Sequence, residues 1–216
     1  MRIKLPVRVT TAALLACAVT ASLAPSQAKP AVSLTPAQLT AAKSIGQRNA
    51  PITLEDFADF QCPMCRTLFM DTTRKVIQDY VSTGKVYLVH HDFPIPQLHP
   101  HAKEAAHWAN AAAAIGKFEP VEDALYSHQD SWGNTGNIEG TLSSVLSPAD
   151  LKKAKALMND PGIDEAIQKD IELANSRGVN QTPSLFVTHK GQTVALPPGA
   201  ISYPLLKQYL DYLLKQ

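Results

Sequence analysis

The 216-residue chain lacks long runs of like charge: 20 Lys and Arg against 19 Asp and Glu leave a net charge of +1. It therefore carries no electrostatic footprint for nucleic acid, and no phosphate-binding role is expected. Internal repeats and low-complexity tracts are absent too, which excludes solenoid and fibrous architectures. Cysteine is scarce. Three residues, Cys17, Cys62 and Cys65, are too few for the multi-bridge framework that holds small secreted domains together. What is present is apolar content: 45% of residues are hydrophobic, enough for one globular domain with its own core.

The first segment, "MRIKLPVRVTTAALLACAVTASLAPSQAKP", has a basic start at Arg2, Lys4 and Arg8, an apolar stretch from Val9 to Ala24, and a small-residue pattern at Ser26-Gln27-Ala28. This is the make-up of a secretory signal over residues 1–28, cleaved near Ala28. The stretch contains threonines and stops at Pro25, short of the roughly 20 apolar residues a membrane span needs. The "LLAC" ending at Cys17 offers a second reading, a lipid-anchored N-terminus, but the apolar run continues past it. Removal of residues 1–28 leaves 17 basic against 19 acidic residues and only Cys62 and Cys65. In an oxidising compartment such a pair is expected as a disulfide, yet a bridge spanning two residues closes too short a loop to serve as a staple. That points to redox chemistry.

Residues 29–43 read as a polar, flexible lead holding at most a short helix begun by Thr35-Pro36, and residues 44–216 as the domain proper. "ITLEDFADF" (52–60) and "KVYLVHHDF" (85–93) read as strands around a helix that starts at Cys62 and stops at Gly84, which implies a parallel strand pair. A long helical stretch follows. Within it Ser147, Pro148 and Asp150 form a helix start, and Gly178 a helix stop. "PSLFVTHKGQTVAL" reads as two strands about a Lys190-Gly191 turn, and "SYPLLKQYLDYLL" as a closing helix.

Cysteines three apart on one turn lie on the same helix face, close enough to form or release a bridge with little movement. Cys62, at the helix start, meets unpaired backbone N–H groups and the positive end of the dipole. It should be the exposed, low-pKa thiol, with Cys65 the more buried, resolving one. Asp56 shares a strand face with Ile52 and Leu54 and should point into the core beneath the helix, where burial raises a carboxyl pKa and fits it to accept a proton from the resolving thiol; an exposed strand-end aspartate is the alternative. Asp59 is expected to cap the approach to the helix. A CxxC also serves zinc sites, but these want four ligands and there is no second CxxC. His90, His91, His99, His101 and His107 could add nitrogen ligands for copper or zinc, which leaves a metal-binding protein as a rival reading. Their uneven spacing favours solvated loop and helix-face residues instead.

Three motifs in order, "DFADFQCPMC", "YLVHHDFPI" and "GVNQTPSLFV", followed by "LPPGAISYPLLKQYLDYLL", resemble the DsbA-like thiol:disulfide oxidoreductases of bacterial envelopes. The resemblance implies an α/β chain with a thioredoxin-like fold and an inserted all-helical subdomain over about 97–176. It implies Cys62 as the attacked cysteine, Cys65 as the resolving one, Asp56 as the buried acid and Thr182-Pro183 as a cis-proline loop. Pro63, Met64, Thr182 and Pro183 become the substrate-facing positions. No metal or cofactor is implied. The implied partners are thiol-bearing exported proteins and a separate membrane redox protein that recharges the enzyme in a periplasmic or other extracytoplasmic setting. Two departures bear on the details. The dipeptide between the cysteines is Pro-Met, so the imidazolium of the Pro-His members is missing; and the lead before Ser44 is too short for the dimerisation domain of related isomerases, which favours a monomeric oxidase over a dimeric isomerase. A reductase or isomerase kept reduced by a partner is the alternative within the same class.

Overall fold

The structure, a computed structural model, describes Met1 and residues 34–216, so the signal segment and Cys17 lie outside the described residues. Helix α1 (Pro36–Ala42) opens the folded part. Thr35 and Gln38 close a reciprocal capping box, and Pro36 occupies the first helical position. The short helix expected from Thr35-Pro36 is present, but the segment is packed rather than loose: Leu39 is 1% exposed within the helical core, and Lys43 is equally buried, ion-paired to Asp92 and Asp170. One apolar anchor and one buried cation fix a segment whose overall composition is polar.

Strand β1 (Ser44–Ile45) pairs antiparallel with β3 (Val86–Asp92), and β2 (Ile52–Ala58) pairs parallel with β3 from Ile52 opposite Val86 to Ala58 opposite Asp92. Between β2 and β3 runs one helical path: α2 (Pro63–Leu68), a π-helical stretch Phe69–Thr73, α3 (Arg74–Val76) and a second π-helical stretch Ile77–Val81. The chain after β3 is helical: α4 (Ala102–Ala114), α5 (Phe118–Ser127), α6 (Gln129–Thr135), α7 (Ile138–Leu142), α8 (Pro148–Leu157) and α9 (Pro161–Ser176). Strand β4 (Ser184–His189) then returns antiparallel to β2, β5 (Gln192–Ala195) pairs with β4, and α10 (Tyr203–Leu213) closes the fold. The sheet order is β1-β3-β2-β4-β5, a mixed α/β sheet with β2 at its centre.

Local chemistry explains the joints. Ser147 accepts the Asp150 N–H at 3.1 Å, and Pro148 takes the first position of α8. Gly178 (φ 73°) follows α9 in the left-handed region, and Lys190 (φ 49°) and Gly191 (φ 77°) supply the two positive φ values of a tight hairpin turn. One sheet face packs Ile52, Leu54, Val86, Leu88 and Leu185 against Leu68, Val76, Leu206 and Leu210. A larger cluster in the helical region includes Tyr126, Trp132, Phe60, Phe69 and both cysteines, so the sulfur site belongs to the seam between sheet and helices. Among the described residues no helix is long and apolar enough to cross a membrane.

Candidate active site

The turn Asp59–Gln61 leads from β2 to Cys62, which has extended backbone (φ −72°, ψ 123°) and immediately precedes the first residue of α2. Cys62 and Cys65 are both free thiols in the structure. The two sulfurs differ sharply in surroundings. Cys62 is pulled down to about 5, first by the hydrogen bond from the Cys65 thiol, then by the Thr182 side chain and the backbone N–H groups of Cys65 and Met64, against the cost of burial. Its own thiol, when protonated, donates to the Thr182 carbonyl oxygen at 3.5 Å. Cys65 is held well above its ordinary value, first by burial and then by Cys62 itself; the Asp59 N–H, 3.5 Å from its sulfur, works the other way. A first thiol that ionises and a second that does not is the arrangement expected of helix-start and first-turn positions.

Cys62, however, is not the exposed thiol the motif suggests. It is 6% exposed, against 2% for Cys65 and 48% for Met64. The Thr182 loop lies over the sulfur, and Gln129 of α6 donates to the Phe60 and Cys62 carbonyls at 2.7 and 3.0 Å, tying the helical region to this turn. Pro63 and Met64 are the exposed members of the motif, Thr182 is half-buried and Pro183 buried, with the Thr182-Pro183 peptide bond cis.

Asp56 lies in the register of β2 opposite His90 on β3 and Leu185 on β4. The residue as a whole is half-buried, but Oδ1 is sealed from solvent and has no hydrogen-bond partner. Burial pushes the carboxyl up to about 7; His90 and His91 oppose the rise, while Glu122 and Cys62 add to it. Asp59 does more than cap the helix approach. Its Oδ1 accepts the Gln61 N–H at 2.8 Å, and its Oδ2 takes the Ile95 N–H and faces His99 Nδ1, both at 2.8 Å, pinning the loop after β3 against the cysteine turn.

The histidines depart most from expectation. His90 and His91 are 3% and 4% exposed, not solvated. They belong to a buried chain of alternating charge: Glu122 to His90 (3.4 Å), His90 to Asp92 (3.4 Å), Asp92 to Lys43, Lys43 to Asp170 (2.9 Å), Asp170 to His91 (2.7 Å), His91 to Glu55 (3.2 Å) and Glu55 to Arg177 (2.9 Å). Neighbouring carboxylates explain why burial, which alone would neutralise these imidazoles, does not: His90 is raised to about 9 by Asp92 and Glu122, and His91 is raised by Asp170 and Glu55. Phe60 stacks on His90 and Phe57 on His91, with ring centres 4.8 and 4.6 Å apart. His107, on α4, meets Asp164 at 3.1 Å. Among the described residues no group of three or more His, Cys, Asp or Glu side chains is placed to hold a metal ion. Lys43, Asp92, Glu122 and Asp170 were missed by sequence reasoning. The available signal was "HHD" inside a strand that is otherwise apolar, a placement that burial makes costly unless every charge is paired.

The family model described as Thioredoxin matches residues 39–202. The chain belongs to the thioredoxin family. That match begins inside α1, in agreement with a folded unit that starts before Ser44. The DsbA2 structure of Pseudomonas aeruginosa superposes with a TM-score of 0.64 at 27% identity, over 81% of this chain and 95% of that one. The probable disulfide bond formation protein D of Bacillus cereus is 27% identical over 154 residues, 67% of this chain and 69% of the relative. The Na(+)/H(+) antiporter NhaA 3 of Salinispora tropica is 32% identical over 142 residues, 66% of this chain but 21% of the antiporter, so the chain spans about a fifth of that relative's length. The thioredoxin-like fold and the DsbA-like resemblance drawn from the three motifs are thus borne out.

Proposed function

We propose that this protein is a thiol:disulfide oxidoreductase of the DsbA type that oxidises thiols of exported proteins through the Cys62–Cys65 pair. The observation that carries the reading is the contrast between the sulfurs: Cys62 is stabilised as a thiolate near neutral pH while Cys65, one turn on, is held as a thiol. Stabilising the reduced thiolate favours the dithiol over the disulfide, and so makes the disulfide a better oxidant.

In the oxidised protein a substrate thiolate attacks Cys62 Sγ. The Cys62–Cys65 bond breaks, and Cys65 leaves as a thiolate that takes the proton of Asp56. A second substrate thiolate attacks the substrate sulfur of the mixed disulfide, the substrate disulfide forms, and Cys62 departs as a thiolate. Two electrons pass to the protein. A membrane redox protein then removes them in the periplasmic or equivalent extracytoplasmic space reached through the segment 1–28. Pro63 and Met64, exposed beside Cys62, and Thr182 with Pro183 receive the substrate peptide. The metal-binding alternative is disfavoured because His90 and His91 are committed to carboxylates.

Trapping tests the assignment. Cys65→Ser should accumulate mixed disulfides with a reduced peptide substrate and Cys62→Ser should not; equal trapping by both would overturn it. Equilibration in glutathione buffers supplies the direction, since an oxidant of this fold sits near about −120 mV and a reductant near about −270 mV.

A further inference from the structure

Glu122 belongs to α5, in the helical stretch between β3 and β4, yet its side chain is 6% exposed and lies 3.4 Å from His90 Nδ1 on the sheet. His90 stands opposite Asp56 in the β2–β3 register. Glu122 and Asp92 therefore stand at the two ring nitrogens of His90, each at 3.4 Å, and Asp56, its register partner, has a buried oxygen with no hydrogen-bond partner. Glu122 also lines a cleft of about 230 Å³ with Ile45, Phe69, Arg74, Glu119 and Asp123. None of Cys62, Met64 or Thr182 lines that cleft.

We propose that Glu122 is a positioning residue for thiol exchange, a second buried carboxyl that shares the His90 cation with Asp56 and trades protonation with it, with the cleft as its connection to solvent. The inference rests on the role given to Asp56 above. When Asp56 passes its proton to the Cys65 thiolate, a new carboxylate appears in the pocket. Like charges in low dielectric disfavour each other, so Glu122 gains proton affinity and takes one proton from water in the cleft. One proton moves from Asp56 to sulfur and one from solvent to Glu122, and the pocket's charge is restored while substrate is still bound. The groups facing Asp56 are Cys62 and Cys65 at the start of α2, His90 and His91 on β3, and Glu122 and Tyr126 on α5. Those facing Glu122 are Asp56 on β2, His90 on β3, Glu119, Asp123 and Tyr126 on its own helix, and Arg74 across the cleft, whose guanidinium is paired with Asp123 at 2.9 Å. Burial, ahead of its acidic neighbours, raises Glu122 despite His90.

Carboxyl carbon NMR of the reduced full chain, titrated against pH, is the test. Glu122→Gln should move the Asp56 titration to lower pH, and Asp56→Asn should move that of Glu122 by the same amount, about one pH unit for a strongly coupled pair. The pH profile of exchange with a small disulfide should move with Asp56 in Glu122→Gln and return in Glu122→Asp. A residue that only braces α5 against the sheet would change stability and leave both midpoints in place. If Glu122→Gln does not fold, the Glu122 titration in Asp56→Asn carries the same information. Independent titrations, with the exchange profile still following Asp56, overturn this inference and leave the role of Asp56 standing. Reciprocal shifts with an exchange profile that ignores both substitutions overturn the role of Asp56, and this inference with it.

Discussion

Asp56→Asn removes a group whose ionisation the fold opposes, and the size of the effect follows from its surroundings. The carboxyl is pushed up to about 7 from an ordinary value of 3.8, chiefly by burial. Each pH unit of difference between folded and unfolded ionisation is worth about 1.4 kcal/mol, so a difference of about three corresponds to roughly 4 kcal/mol. The sign is fixed by which state holds the proton. Below about pH 4 the carboxyl is protonated in both states and costs nothing. Between there and about pH 7 the folded protein keeps a proton that the unfolded chain has lost, so stability declines as pH rises; above that the full cost is present. The amide of asparagine enters a pocket where Oδ1 already lacks a partner, and its unmet N–H groups offset about 1–3 kcal/mol. The variant should therefore be more stable by roughly 1–3 kcal/mol at pH 8, with the advantage shrinking steadily toward pH 5. Urea denaturation of reduced wild type and variant at four pH values, with slopes compared so that a change in midpoint reads as a change in stability, measures it. A difference that does not vary with pH would show that Asp56 ionises in the fold as it does in water, and would refute the reasoning.

Lys43→Met leaves Asp92 and Asp170 buried side by side without their shared cation, and should cost about 3–5 kcal/mol, with Asp92→Asn restoring part of the loss. A loss under about 1 kcal/mol in the denaturation midpoint would mean that the pair is not buried in solution. Met64→His adds a cation beside Cys62, but Met64 is 48% exposed and solvent screens the interaction to about 0.2–1 kcal/mol, a rise in potential of no more than about 20 mV. Thiolate absorbance against pH should place the wild-type Cys62 midpoint near 5 and the variant slightly lower. A larger gain in potential would mean that residue 64 turns toward the sulfur.

Runs of similar chemistry were the legible part of this chain. The parallel β2–β3 pair follows from two apolar runs joined by a helix, and the Lys190-Gly191 turn, the Ser147 cap and the Gly178 stop each depend on residues within a few positions of one another. The cysteine pair was legible for the same reason. Lys43 and Asp170 are 127 positions apart, and nothing local marks either as half of a buried pair. Composition treats a charged residue as solvated, so a lysine after a polar helix read as lead and a histidine pair in a strand read as surface. The coverage of Cys62 was hidden likewise, because the Thr182 carbonyl that meets its sulfur comes from 120 positions away.

The alternating chain runs from one face of the sheet to the other, because His90 and His91 are consecutive on β3 and their side chains point to opposite faces. Each internal cation sits between two anions. Lys43 stays charged because Asp92 and Asp170 outweigh the burial that would neutralise it, and both carboxylates are in turn held below their ordinary range by Lys43 and the histidines. Glu55 is lowered by His91 and Arg177 at the solvent end of the chain. Asp92, Lys43, Asp170 and Glu55 are thereby each shifted toward the charged form, His90 is raised to about 9, and His91 is raised by Asp170 and Glu55. Two carboxyls are shifted the other way, Asp56 and Glu122, and these are the ones that face His90 from the sulfur side and from the cleft. Asp56 and Glu122 are thus the two acids of this region that burial leaves raised, and they are the pair proposed above to carry protons during exchange.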